Sequence, residues 1–255
     1  MNYELKKVSF VRIWAEALDL FLGNFVPLVV IAVIGVLPLL FFPQPTGPGG
    51  EEITLEAAAL DLITWFIFLV GVNTLTSALM IEYIYKKYLG LPQTVSRYIE
   101  TVLSHLPAII GLSILEALAV VLGFIAFFVP GVYLALSLSL AVEILIIERK
   151  GVIESMKRSF FLTQGKKVEI LFFTLTLALL SLLFEKTLDL IFSVVDKSQM
   201  GVDINVITLL FTQALLTPLG ACLFILIYFN IRKEKEGFDR EHIIGQIASA
   251  DREHE

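Results

Sequence analysis

The sequence predicts an all-α polytopic membrane protein: six transmembrane helices arranged as three hairpins, each preceded by an interfacial amphipathic helix on the cytoplasmic side. Three observations predict it. First, the 255-residue chain is 57% hydrophobic with a mean hydropathy of +0.84, whereas a soluble domain is about 45–50% apolar even with glycine counted. Second, no Lys, Arg, Asp or Glu occurs from Leu20 to Gly50, Leu62 to Ile81, Ala117 to Val142 or Ile204 to Ile231; one crossing needs roughly 20 apolar residues. Third, all Lys and Arg except Lys186 and Lys197 fall in one alternating set of gaps between the apolar stretches. By the positive-inside rule both termini are then cytoplasmic, in a plasma (inner) membrane.

The crossings read in order as Phe25–Phe42, Leu60–Tyr85, Pro107–Phe128, Val132–Ile147, Val168–Val194 and Val206–Ile231. Val129-Pro130-Gly131 gives a tight turn between the third and fourth. Pro43–Glu56 and Asp196–Asn205 form the other outer loops. Three amphipathic segments precede the outward crossings. In the first, Phe10, Ile13, Trp14, Ala17, Leu18 and Phe21 recur at helical spacing, with Ser9, Arg12, Glu16 and Asp19 opposite. In the second, the stripe is Val95, Tyr98, Ile99, Val102, Leu103 and Leu106. In the third, Val152, Ile153, Met156 and Phe160 oppose Glu154, Lys157 and Arg158, with Glu154 and Arg158 spaced to pair at i,i+4. Such helices lie in the plane of the interface. The unit of interfacial helix, helix out and helix back therefore occurs three times, an internal repeat of architecture. One membrane domain is expected over residues 1–232, and a cytoplasmic tail over 233–255. In that tail Phe238, Ile243, Ile244 and Ile247 predict a short surface helix.

Proline within a crossing marks a possible break, and Thr217-Pro218-Leu219-Gly220 is the best-placed candidate. Cys222 sits alone in an apolar run as a small packing residue. The first apolar run is too long for the core of a cleavable signal peptide.

Pro130-Gly131-Val132-Tyr133, Leu136-Ser137-Leu138-Ser139-Leu140-Ala141, Glu148-Arg149-Lys150-Gly151-Val152-Ile153-Glu154-Ser155-Met156-Lys157-Arg158-Ser159 and Leu162-Thr163-Gln164-Gly165 form one distinctive segment. It resembles the membrane domain attached to some bacterial glycerophosphoryl diester phosphodiesterases, and the related stand-alone integral membrane proteins of unknown function. Trp14 through Phe25, and Tyr228-Phe229-Asn230-Ile231-Arg232 with Glu236-Gly237-Phe238-Asp239, resemble the family's opening and close. Glu143 stands where that family often has Pro. The resemblance implies a helical membrane domain and carries no hydrolytic activity, because no segment here alternates strand and helix as the catalytic barrel would.

Glu116 and Glu143 lie 14 and 13 residues to either side of Pro130. Each is thus roughly 20 Å from the turn, which sets the two at similar depth. Carboxyls buried in a bilayer are expensive and mark functional candidates. Asn73 and Gln213 are further intramembrane polar candidates. Asp61, Glu185, Lys186 and Asp189 form an outer polar cluster. Lys86, Lys87, Arg97, Arg149, Lys150, Lys157, Arg158, Lys166 and Lys167 are the expected lipid-headgroup contacts. Gly165 is placed to end the third interfacial helix in the left-handed conformation. His105, His242 and His254 share no ligand spacing with Cys or carboxylates. No catalytic set, metal site or cofactor is expected, and nucleic acid is not expected as a partner. The expected function is non-enzymatic: lipid binding or organisation, or scaffolding of a membrane or cytoplasmic protein partner. The alternative is a transporter or lipid translocator with Glu116 and Glu143 as its coupling pair.

Overall fold

The computed structural model describes residues 10–36, 55–91, 94–193 and 204–237, and for 55–71 the backbone alone. Every regular element among the described residues is helical. In chain order these are α1 (Phe10–Gly23), α2 (Phe25–Val36), α3 (Leu55–Leu89), α4 (Val95–Ala126), α5 (Phe128–Leu138), α6 (Ala141–Glu148), α7 (Val152–Thr163), α8 (Lys167–Ser193) and α9 (Ile204–Glu236). Among the described residues, four stretches are long and apolar enough to cross a membrane: α4, α5 with α6, α8, and α9 from Leu210 onward. The pair α1–α2 passes the same test together, bent by 83° at its break. These are the helices of a membrane-embedded protein. The end of the expected first crossing beyond Val36, most of both outer loops and the tail from Phe238 lie outside the described residues.

α9 is the axis of the bundle, packing on α1, α2, α3 and α8. Its run is apolar all round, and a helix of that kind is stable where it is enclosed. Leu219, Cys222, Leu223, Ile225, Leu226 and Ile227 are buried in it. Of the apolar window of α9, 67% is buried, against 11% for α8 at the same mean hydropathy of 2.0. α8 instead exposes Leu175, Leu179, Leu182 and Leu183 along its length.

Four expectations about helix boundaries are corrected. The second amphipathic segment is no separate helix: Val95–Ala126 is continuous, with Pro107 inside it. Its 32 residues extend about 48 Å, longer than a bilayer core is thick. A helix–break–helix entry is thus seen at α1/α2 and α7/α8 and not at α4. The turn between α4 and α5 is Phe127, in extended conformation. Pro130 lies in the first turn of α5, where its missing N–H costs nothing. Gly123 and Gly131 then bring the two backbones together: a Cβ on Gly123 would lie 2.9 Å from Gly131 Cα, and one on Gly131 would lie 2.4 Å from the Phe124 ring. Small residues allow this close helix approach. The expected fourth crossing is interrupted at Ser139-Leu140, between α5 and α6. Finally, α9 runs unbroken through Pro218.

Candidate functional site

α7 follows α6 after a short elbow, Arg149-Lys150-Gly151. Arg149 closes α6 in the left-handed region, with φ 51° and ψ 39°, where a residue with a Cβ bears a cost of about 1–2 kcal/mol. The elbow turns α7 back onto α5 and α6. Of the expected apolar stripe of α7, Val152, Met156 and Phe160 are half-buried and Ile153 is exposed; the deepest contacts are made by a different row. Ser155, Ser159 and Thr163, spaced four apart, are buried with Leu162, while Ile153 and Phe161 are exposed. The correction has a physical reason: the receiving surface is an interrupted helix with free backbone groups, and hydroxyls satisfy them. Ser159 Oγ donates to the Ser137 carbonyl at 2.8 Å and accepts from the Leu140 amide at 3.3 Å. Ser139 Oγ donates to the Leu136 carbonyl at 3.0 Å. Thr163 Oγ1 donates to the Ser159 carbonyl at 2.8 Å. The break in one helix is thus closed by a side chain from another.

Glu143 lies in the first turn of α6, just past that break, and is 7% exposed. Glu116 on α4 is within its electrostatic reach. Glu116 Oε1 is fully enclosed and accepts no hydrogen bond from the described residues. Glu116 and Glu143 thus lie within electrostatic reach of each other, beside an interrupted helix.

One turn beyond, at the basic end of the bundle, a closed charge network ties α6, α7 and α9. Arg158 Nε reaches both Glu148 oxygens, at 3.1 and 2.9 Å, and Arg158 Nη1 pairs with Glu236 Oε1. Arg232 Nε donates to Glu236 Oε2 at 3.1 Å, and its Nη1 lies 3.7 Å from Glu148 Oε1. Tyr228 Oη accepts from Arg232 at 2.8 Å and donates to Glu148 at 2.9 Å. Two guanidinium groups and two carboxylates alternate around the ring, so each charge meets opposite charges on both sides. Burial works against the charge of Arg158, but the hydrogen bonds it donates to Glu236 and Glu148, with their negative charge, outweigh it and lift that guanidinium above its usual range. The expected i,i+4 pair with Glu154 does not form; Arg158 is turned to Glu148 and Glu236 instead.

Beside the ring, Lys166 pairs with Glu234 at 2.5 Å and with Glu169 at 3.4 Å. Burial opposes its charge, and Glu234 and Glu169 raise it above the ordinary lysine range. Lys235 Nζ donates to the carbonyls of Phe161 and Gln164 at 2.7 and 2.6 Å, which caps the end of α7. Gly165 follows with φ 78°, the left-handed ending expected for it.

The remaining candidates divide. Among the expected headgroup contacts, Lys87, Arg97 and Lys157 are exposed, and Arg149 and Lys167 are half-buried. Lys86 is fully buried, and Arg158 and Lys166 are enclosed in ion pairs, so these three do not face headgroups. Lys150 lies 3.6 Å from Glu148, and Lys167 lies over the Tyr133 ring at 4.3 Å. Asn73 and Gln213 meet in a crevice between α2, α3 and α9, away from the acid pair. In the outer cluster Lys186 pairs with Asp189 at 3.1 Å. No pair joins Glu185 to them among the described residues, and the side chain of Asp61 lies outside those residues. His105 Nδ1 sits 2.9 Å from the Thr101 carbonyl, a local contact. Sequence reasoning missed Ser159, Thr163, Tyr228, Arg232 and Glu236. The one available signal was the four-residue spacing of Ser155, Ser159 and Thr163. Comparison of the chain with family models, with curated proteins and with solved structures finds no match.

Proposed function

We propose that this chain is a non-enzymatic membrane protein that binds or organises lipid at the cytoplasmic leaflet of the plasma membrane, crossing six times with both ends inside. In this reading α2 and the apolar stretch Leu62–Ile81 of α3 supply the crossings beyond the four long apolar stretches. The observation that carries the reading is α1. It stands at 83° to α2 and so runs close to the membrane plane. Its surface divides into three faces about 120° apart. Ile13, Ala17 and Phe21 are buried against the bundle; Val11, Leu18 and Leu22 are apolar and exposed; Arg12, Glu16 and Asp19 are polar. A soluble helix has no use for the second face. At a headgroup boundary each such side chain contributes about 1.5–3 kcal/mol on burial, and each nearby basic residue about 1 kcal/mol with anionic lipid. Lys87, Arg97 and Lys157 supply exposed positive charge at the same end. The resemblance to a phosphodiesterase-associated membrane domain is in keeping with a module that handles lipid without hydrolysing it. The test is native mass spectrometry of protein released from nanodiscs containing phosphatidylglycerol. Retained anionic lipid is expected, with clear loss on neutralising Lys87, Arg97 and Lys157 to Gln. Equal retention in the triple variant overturns the reading.

A second reading has its own support. A broken helix with an adjacent buried acid is the arrangement found around coupling sites in transporters. Glu143 beside the Ser139-Leu140 break, with Glu116 opposite, fits a lipid translocator using the two acids as a coupling pair. Replacing both with Gln should abolish lipid flux in reconstituted vesicles while the protein stays folded. Unchanged flux removes them from any mechanism.

A further inference from the structure

The crevice between α2, α3 and α9 belongs to neither reading. It is lined by Asn73, Thr76 and Ser77 of α3, Gln213 and Thr217 of α9, and Ala32, Gly35 and Val36 of α2. Asn73 is about 20 Å along α3 from Lys86, and Gln213 about 28 Å along α9 from Arg232, so the crevice sits far from the charge network. Five of its side chains carry a neutral polar group, and none is charged. The helices meet tightly here. A Cβ on Gly35 would lie 2.2 Å from Thr76 Oγ1, so the bare backbone of α2 forms one wall.

The hydrogen bonds decide what the crevice presents. Thr76 Oγ1 donates its proton to the Val72 carbonyl at 2.8 Å. Thr217 Oγ1 donates to Gln213 Oε1 at 2.6 Å. Both hydroxyl protons are spent on their own helices, and the lone pairs of both oxygens are left to accept. The Gln213 amide nitrogen still has protons to give. A guest must then donate to hydroxyls and accept from an amide. It must also fit a volume of about 10 Å³, which is about that needed by one water with two to four polar partners. A cation would surrender its hydration without meeting a carboxylate, which is costly in such surroundings.

We infer that one ordered water molecule resides in this crevice and bridges α3 to α9, joining two crossings that lack a charge pair at that depth among the described residues. Hydroxyl-radical footprinting of the full chain in nanodiscs tests it. A resident water generates radicals inside the bundle, so Val36 and Thr76 should be oxidised, while Leu112 in the core on α4 stays unlabelled. Thr217→Val, which keeps the shape, should reduce that label, and Thr217→Val with Gln213→Leu should lose it. An unlabelled crevice in the unmodified protein overturns the inference. So does label that persists in the double variant. Label that depends on sodium or potassium, tested by replacing both with N-methylglucamine, overturns it in favour of a bound cation. Elution as a single species and a dark Leu112 show that each variant is folded.

Discussion

α1 and α7 are both amphipathic helices of similar length at the basic end of the bundle, and they are held by opposite chemistry. α1 docks through Ile13, Ala17 and Phe21, an apolar stripe that excludes water from α9. α7 docks through Ser155, Ser159 and Thr163; the hydroxyls of Ser159 and Thr163 meet the freed backbone of a broken helix, and that of Ser155 meets the Lys150 carbonyl of the elbow. The difference lies in the partner surface. α9 is continuous and has no backbone group to offer, so area is what stabilises α1. The α5–α6 junction offers a carbonyl and an amide, so hydrogen bonding stabilises α7, and a lost bond there leaves a buried polar group unsatisfied. Charge follows the same division. The polar face of α1 carries the exposed Arg12–Glu16 pair. On α7 one residue of the polar face, Arg158, is drawn into a buried ring, while Glu154 and Lys157 stay exposed.

The largest expected effect is on the ring. Glu148→Ala removes the shared partner of Arg158, Arg232 and Tyr228. Breaking a buried ion pair from one side costs about 3–5 kcal/mol. Thermal unfolding in detergent, followed by tryptophan fluorescence, should show it as the most destabilised variant of the set. Stability within about 1 kcal/mol of the parent would mean that the ring contributes no more than a surface pair. The next effect is a swap between the two helices. Ser159→Ala should cost about 1–3 kcal/mol, because the Leu140 amide loses its partner inside the bundle and the Ser137 carbonyl keeps only the longer bond from Thr163. Ala17→Ser, which places a hydroxyl in the apolar stripe of α1, should cost about 1–3 kcal/mol for the opposite reason. If Ser159→Ala is neutral, the two helices dock alike and the contrast is broken.

The contrast also marks what the sequence could disclose. Both helices were legible as helices, and for α1 the stripe contained the three buried residues Ile13, Ala17 and Phe21, since area-driven docking writes itself as periodicity. Phe10 and Leu18, expected in the same stripe, are exposed. The docking face of α7 was not, because its stripe reads as polar until the break opposite it is known. That break gave no sign: Ser139-Leu140 contains neither Pro nor Gly, while Pro218, which does, sits inside an unbroken helix. At Ser139-Leu140 a neighbouring helix re-satisfies the freed groups, and that is a tertiary fact. Which crossing forms the axis was equally hidden, since α8 and α9 share one mean hydropathy and differ sixfold in burial. Of the candidate site, Glu116 and Glu143 were readable as lone charges bounding an apolar run, although their depth was counted from Pro130 and the turn is at Phe127. The charge ring was not, since Glu148 and Glu236 stand 88 positions apart and no local spacing joins them.

Lys166 sharpens the comparison through pH. Its ammonium is held above the ordinary lysine range despite burial, through Glu234 and Glu169. A raised folded-state value means that the pair contributes its full stability below the unfolded lysine value, about 10.4. That contribution is lost as pH climbs through the raised value. The alkaline limb of a stability profile should therefore fall above pH of about 10.4, and Lys166→Met should flatten that limb. Arg12→Met, on the α1 side, should leave it unchanged. Identical limbs in Lys166→Met and the parent would assign the alkaline transition to another group.

The smallest effect is the control on which the contrast rests. Arg12 Nε donates to Glu16 at 2.8 Å, shorter than either bond from Arg158 Nε to Glu148, yet the two side chains are 70% and 42% exposed. Geometry alone would rank this pair with Arg158 and Glu148. Exposure ranks it far below: water screens both charges, and an exposed i,i+4 pair contributes about 0.3–0.5 kcal/mol. Arg12→Ala should shift the unfolding midpoint by at most about 1–2 °C, within the usual conversion for a chain of this size, and the shift should vanish in high salt. A loss approaching that of Glu148→Ala would show that α1 is held by charge. Its apolar stripe would then be incidental to docking, and the same distance would carry the same stabilisation at both ends of the comparison.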